Sequence, residues 1–216
     1  MKRLIVYDLD GTLVDTLGDI TEAANHMLRQ LARAEVPAAE IRRAIGGGVQ
    51  ELVKRCLNTE DARAIEDGVG VFRAYYRSHL VERSRLYPGA RAMLDHFKGR
   101  RQAVLTNKPA SLSLEILRAL SVGEYFCEVI GGESSFPKKP HPAALRALME
   151  HAGVTPDDTL LIGDSPIDVS TGRNAGVLTI VVTHGFSDEA ELREASPDAL
   201  VSHFNGLLEY AMRQSL

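Results

Sequence analysis

The 216-residue chain has little cysteine, no long hydrophobic run and no excess of positive charge. Its two cysteines, Cys56 and Cys127, lie far apart, which argues against a disulfide framework and lacks the paired spacing of a zinc site. No stretch approaches the roughly 18 apolar residues of a membrane span, so no membrane partner is expected. The first apolar run stops at Asp8, too early for a signal peptide. Lys and Arg number 25 against 29 Asp and Glu, a net charge of -4, which leaves no basic footprint for nucleic acid. These absences predict a soluble protein of a reducing, cytoplasmic setting. The length is enough for one larger domain or two small ones around a real core.

What is present is a rhythm. Leu4–Tyr7 reads as a strand buried on both faces, and it ends abruptly in Asp8-Leu9-Asp10-Gly11-Thr12. Further strand-like runs end in polar residues too. Gln102–Leu105 precede Thr106-Asn107, Thr159–Ile162 precede Gly163-Asp164, and Thr179–Val182 precede Thr183-His184. Glu128–Ile130 and Ala199–Val201 are shorter candidates. Between them runs helical periodicity, as in Met93, Leu94 and Phe97, in Leu112, Ile116, Leu117 and Leu120, and in Ala144, Leu145 and Leu148. Pro88, Pro109 and Pro142 fall where first helical turns are expected. Alternating strands and helices predict an α/β fold, a three-layer, Rossmann-like parallel sheet covered on both faces. In such sheets, reacting groups gather beyond the carboxyl ends of the strands.

One interval breaks the rhythm. Between Asp15 and about Tyr87 no convincing strand appears, only helical pattern: Ile20, Ala24, Met27, Leu28 and Leu31; Leu52, Val53 and Leu57; Ile65, Val69, Phe72 and Tyr76. Connections beyond about 12–15 residues are uncommon, so this is no loop. The reading is an α/β core of residues 1–15 and 86–216 interrupted by an all-helical domain, 16–85. Arg33–Pro37 and Gly46-Gly47-Gly48 are the clearest breaks within the insert.

The polar strand ends pose a chemical question. Side chains at i and i+2 of an extended chain point the same way, so Asp8 and Asp10 begin as neighbours. Two anions held together repel unless a cation or a shared proton offsets them. Adding Asp164, Asp168, Thr106, Asn107 and the rigid basic segment Lys138-Lys139-Pro140-His141-Pro142 places four carboxylates, a hydroxyl, an amide and an ammonium along one sheet edge. Oxygen ligands in that number suit a hard cation such as Mg²⁺, which is usually bound by one or two carboxylates plus substrate phosphate. The hydroxyl, amide and ammonium suit phosphoryl oxygens. Taken singly, each residue has an ordinary explanation. A strand-end Asp forms turns, Thr106-Asn107 could start a turn before Pro109, and Asp168 could be a first-turn carboxylate favoured by a helix dipole.

DLDGTLVD at 8–15, LTN at 105–107, KKPHP at 138–142 and GDSPIDV at 163–169 resemble, in order and spacing, the four motifs of the haloacid dehalogenase superfamily in its phosphatase branch. The resemblance covers nearly the whole chain and implies a hydrolase with a helical cap. It implies that Asp8 attacks phosphorus to give an aspartyl-phosphate, and that Asp10 serves as general acid and then general base. Gly11 lets the chain turn past the phosphate, and Thr106 with the backbone near Asn107 donates hydrogen bonds to it. Lys139 offsets charge on nucleophile and phosphoryl group. Asp8, Asp164 and the backbone carbonyl of Asp10 hold Mg²⁺, with Asp168 supporting from behind, through water or by orienting Lys139.

The second aspartate favours phosphoryl transfer to water over dehalogenation. Substrate choice is expected to reside in the cap, where Gly46, Gly47 and Gly48 either bring backbone N–H groups to an anion or serve as a flexible link. The cap cations Arg42, Arg43, Lys54 and Arg55 flank that stretch. The three glycines, YPGA at 87–90, LTNKP at 105–109 and the segment from GGE to KKPHP at 131–142 are most similar to the branch's phosphoglycolate-hydrolysing members, despite Tyr7 in place of the more usual Phe and Glu133-Ser134-Ser135 in place of a Gly-Asp pattern. That similarity implies a small phosphorylated metabolite as substrate, with 2-phosphoglycolate first. Pyrophosphate, sugar phosphates, nucleoside monophosphates or a phosphomutase reaction are the alternatives. A phospho-accepting receiver or a binding protein without turnover is the rival of another class.

Overall fold

The computed structural model describes residues 1–214 and 216. In chain order it runs β1 (Leu4–Tyr7), β2 (Val14–Asp15), α1 (Leu17–Gln30), α2 (Ala38–Ala44), α3 (Val49–Leu57), α4 (Ala62–Ser78), β3 (Arg85–Leu86), α5 (Ala90–His96), β4 (Arg101–Leu105) and α6 (Ala110–Ala119). It continues with β5 (Glu128–Ile130), α7 (Ala143–Ala152), β6 (Thr159–Gly163), α8 (Pro166–Ala175), β7 (Leu178–Val182), α9 (Glu189–Ala195), β8 (Ala199–Val201) and α10 (Phe204–Arg213). Two compact units result, Met1–Asp15 with Leu86–Leu216, and Thr16–Arg85.

In the first unit six strands form a parallel sheet in the order β5-β4-β1-β6-β7-β8. β1 lies inside it, with Tyr7 opposite Val104 on one side and Ile162 on the other. That position explains the unbroken apolar run, because both faces of the strand are covered. Leu4 and Val6 join Ala103, Leu105 and Leu161 in a core with Leu145, Leu148 and Met149 of α7. On the opposite face the Tyr7 hydroxyl donates to Gln102 Oε1 at 2.8 Å, and Gln102 Nε2 donates to Leu94 O of α5 at 3.0 Å. Tyr7 therefore tolerates full burial, since its one polar atom is partnered.

The second unit is four helices. Ile20, Ala23, Ala24, Met27 and Leu28 of α1 are buried, as are Leu52 and Val53 of α3 and Val69, Phe72 and Tyr76 of α4. A Cβ on Gly68 would sit 2.7 Å from Val53 Cγ1, so α3 and α4 meet where a side chain is missing. Buried Asp19 accepts from Arg83 N, Ser84 N and Ser84 Oγ at 2.9, 2.8 and 2.6 Å, which ties the end of the unit to its first helix. Gly46–Gly48 link α2 to α3, with Gly46 and Gly48 at positive φ. Gly48 is the N-cap of α3 and brings no side chain to it. Lys54 pairs with Glu60 and Arg55 with Glu51.

Some local expectations change. Pro109 and Pro142 occupy N-cap positions of α6 and α7, and Pro88 precedes the N-cap Gly89, so none stands in a first helical turn. Pro166 does, opening α8. The interval before Tyr87 holds one strand after all, β3, which is too short for alternation to reveal. The helix α2 was also not evident, because seven residues span barely two turns.

Candidate active site

The carboxyl ends of β1, β4 and β6 are adjacent because those three strands are neighbours in the sheet. Asp8 leaves β1 still in register, its N–H donating to Ile162 O at 2.9 Å. The chain then turns: the N–H groups of Thr12, Leu13 and Val14 all point to Leu9 O. Gly11 takes φ 83° in this turn, and a Cβ there would lie 2.2 Å from Asp164 Oδ2, so geometry and space both demand glycine.

Asp8, Asp164 and Asp168 present carboxylate oxygens within 4.8 Å of one another. Lys139 offsets part of this charge, with Nζ 3.0 Å from Asp8 Oδ1 and 2.7 Å from Asp168 Oδ1. Asp168 divides its work between its two oxygens. Oδ1 holds Lys139, while Oδ2 accepts from Ser165 Oγ at 2.6 Å and from the N–H groups of Ser165 and Asp164. This is the capping box of α8, so the same side chain starts a helix and fixes an ammonium. Asp164 is held by Thr12 Oγ1 and Phe186 N, each at 2.8 Å. Thr12 is fixed in turn by His184, whose Nε2 donates to Thr12 O at 3.1 Å.

Burial raises the Asp8 carboxyl from 3.8 to about 6, helped by the charges of Asp168 and Asp10 and opposed by Lys139. Burial likewise pushes Asp164 well above the ordinary carboxylate range, with Asp168 and Asp8 adding to it against the bonds from Phe186 and Thr12. Burial alone would depress the Lys139 ammonium, but Asp168 and then Asp8 outweigh it and hold the group above its usual value. Asp8 and Asp164, pushed toward protonation by burial, form with Asp168 a donor set that a hard divalent cation fits, since the ion removes the repulsion.

Of the residues singled out in the sequence, Asp8, Lys139, Asp164 and Asp168 form one cluster. Asp10 lies beside it on the same turn, but its carboxylate belongs to another ammonium. Lys108 Nζ stands 2.8 Å from Asp10 Oδ1 and 3.0 Å from Oδ2. Thr106 is buried where β4 ends, and its Oγ1 accepts from Lys108 N at 3.2 Å. Asn107 spends its side chain on the third segment: Nδ2 donates to Lys139 O at 3.1 Å, and Oδ1 accepts from Lys139 N at 2.9 Å. His141 is exposed and accepts from Ala143 N at the start of α7.

Lys108, Thr12, Ser165 and the Phe186 N–H are the participants that sequence reasoning missed. Ser165 was legible, as Ser-x-x-Asp ahead of an apolar run is a capping signature. Lys108 directly follows Thr106-Asn107, but only tertiary structure pairs it with Asp10. The Gly131-Gly132 pair also acquires a reason. A Cβ on Gly131 would sit 2.2 Å from Ala110 N and one on Gly132 2.3 Å from Asn107 O, so the backbone after β5 packs directly on the 107–110 turn.

Fold and site together define an α/β enzyme whose acidic and cationic groups collect at one sheet edge. The haloacid dehalogenase-like hydrolases match this chain over residues 5–182. A phosphoglycolate phosphatase of Pseudomonas putida is 36% identical over 96% of this chain and 79% of its own length. One from Nitrosospira multiformis is 36% identical over 92% and 91%. The solved structure of a predicted phosphoglycolate phosphatase from Haemophilus somnus superposes with a TM-score of 0.91 at 31% identity, covering 97% of this chain and 98% of that one. The chain belongs to the haloacid dehalogenase-like hydrolases, and it is a phosphatase. Among the described residues, no helix is long and apolar enough to cross a membrane.

Proposed function

We propose that the protein hydrolyses a small phosphorylated metabolite, 2-phosphoglycolate, by way of an aspartyl-phosphate. The observation that carries the reading is Asp8, a buried strand-end carboxylate within 3.0 Å of the Lys139 ammonium and clustered with Asp164 and Asp168. Relatives 36% identical over most of the chain are phosphoglycolate phosphatases, which supports the substrate.

Asp8 attacks phosphorus as the ester P–O bond breaks, and Asp10 gives its proton to the departing oxygen. Water then attacks the aspartyl-phosphate, Asp10 takes the proton back, and orthophosphate leaves with Asp8 regenerated. Lys139 offsets negative charge on the nucleophile and on the phosphoryl oxygens. Thr106 and the backbone at Asn107 donate to those oxygens. Asp168 orients Lys139. Asp8, Asp164 and the Asp10 carbonyl would hold Mg²⁺, which would supply charge neutralisation for the phosphoryl group. The helical unit 16–85 is assigned the role of cap, with Gly46–Gly48 as its substrate loop.

Orthophosphate release tests this, with and without Mg²⁺, from 2-phosphoglycolate, pyrophosphate, a sugar phosphate, a nucleoside monophosphate and an aryl phosphate. The expected result is Mg²⁺-dependent turnover with the highest kcat/KM for phosphoglycolate. A competitor equal or better overturns the substrate, and no turnover on any of them overturns the mechanism.

A further inference from the structure

The site contains two separate cation–carboxylate systems. Lys139 serves the phosphoryl side, between Asp8 and Asp168. Lys108 serves Asp10, meeting both of its oxygens at 2.8 and 3.0 Å, and the Lys108 residue is only 8% exposed. Its main chain is locked. Lys108 N donates to Thr106 Oγ1 at 3.2 Å, and Lys108 O accepts from Gly132 N at 3.0 Å. A Cβ on Gly131 would lie 2.6 Å from that same carbonyl, so the Gly131 backbone packs directly against it. The ammonium is thus presented from a fixed backbone on a flexible stem.

On the reading proposed above, Asp10 hands its proton to the ester oxygen of the leaving group, so that oxygen must come within hydrogen-bond reach of Asp10. Lys108, already against Asp10, then stands next to whatever is attached to that oxygen. In phosphoglycolate one methylene separates the ester oxygen from a carboxylate, which falls in the same neighbourhood. A lysine ammonium has three rotatable donors and no fixed plane, so it can bridge Asp10 and a second carboxylate.

We propose that Lys108 is a specificity-determining residue that recognises an anionic group one carbon from the scissile ester oxygen. This assigns part of the substrate selection to the sheet edge and not to the helical unit alone. It rests on the phosphoglycolate reading. A site without such a cation binds a neutral leaving group equally well. With it, replacing the carboxylate by a hydroxymethyl group removes one charge-assisted contact of that ammonium while its pairing with Asp10 stays.

The test compares kcat/KM for 2-phosphoglycolate with that for 2-hydroxyethyl phosphate, which has the same carbon chain and the same ester but no carboxylate. The wild-type protein is expected to favour phosphoglycolate. In Lys108→Met that preference is expected to shrink about 10- to 100-fold, the loss of one charge-assisted contact. Lys108→Arg retains most of the preference. Lys108→Gln, which keeps a donor for Asp10 but no charge, gives the same answer should the methionine variant not fold. If both substrates fall by the same factor in a folded variant, Lys108 acts on the phosphoryl group or on Asp10 alone, and the inference is refuted while the substrate reading stands. If the wild-type protein treats both substrates alike, the substrate reading and the inference fall together.

Discussion

Replacing Asp8 by Asn is expected to make the metal-free protein more stable at neutral pH while removing its turnover. Burial pushes the Asp8 carboxyl from 3.8 up to about 6. At about 1.4 kcal/mol per pH unit, the ionised side chain then costs the folded state about 3 kcal/mol. The sign follows from linkage. A carboxyl whose pKa is raised on folding binds its proton more tightly in the native state. Its favourable contribution is therefore complete below about pH 4 and is lost as pH rises through about 6. Asparagine has no such dependence. The stability difference, variant minus wild type, should be near zero at pH 4 and grow to about 3 kcal/mol by pH 7.5. For a chain of this size that corresponds to about 6–12 °C in Tm. Thermal unfolding followed by circular dichroism in chelator, across that pH range, measures it. On the proposed metal site, excess Mg²⁺ should reduce or reverse the difference, because an ion held by Asp8 would stabilise the carboxylate that the variant lacks. A variant less stable than wild type at pH 7.5 in chelator, or a difference that does not change with pH, would show that burial of Asp8 is not the dominant influence on it.

Asp10→Asn should slow hydrolysis of alkyl phosphates by about 10²–10⁴-fold, the usual worth of a positioned general acid. An aryl phosphate, whose leaving group needs no proton, should lose less in the first step, and burst kinetics would reveal accumulated acyl-phosphate; equal losses on both would remove the acid role. Gly131→Ala would force a Cβ to 2.2 Å from Ala110 N and 2.6 Å from Lys108 O. We expect about 1–3 kcal/mol of destabilisation in urea titrations, and an unchanged midpoint would contradict the packing argument. Ser84→Ala removes the 2.6 Å bond to buried Asp19 and should lower stability by about 1–3 kcal/mol while the Arg83 and Ser84 N–H bonds persist. A thermal melt indistinguishable from wild type would show that the hydroxyl contributes nothing.

The parallel sheet was legible because its strands are apolar runs that stop at polar residues, and all six strands lie within one residue of their expected bounds. β4, β6 and β7 each gain one residue, Arg101, Gly163 and Leu178, and Gly163 is itself a contact point, with Asp168 Cγ 2.3 Å from where a Cβ would lie. The elements that escaped were short or capped unexpectedly. Two-residue β2 and β3 carry no periodicity, and Pro109 and Pro142 cap helices that they were expected to open. In the candidate site, the acidic residues were readable from their place at strand ends. The partners that hold them were less so, since Thr12, Lys108 and the Phe186 N–H act across folds of the chain.

By itself, the sequence determined which side chains are available at the sheet edge: Asp8, Asp10, Thr106, Lys139, Asp164 and Asp168, each at the point where an apolar run or a proline-bounded turn hands over to polar residues. What only the tertiary structure decided is how they pair. Lys108 and Asp10 are 98 positions apart and Lys139 and Asp168 are 29 apart, distances along the chain that say nothing of separation in space. Parallel register sets Tyr7 beside both Val104 and Ile162, and so brings the ends of three strands to one edge. At that edge, repulsion between close carboxylates is relieved by two ammonium groups, Lys139 beside Asp8 and Asp168, and Lys108 beside Asp10.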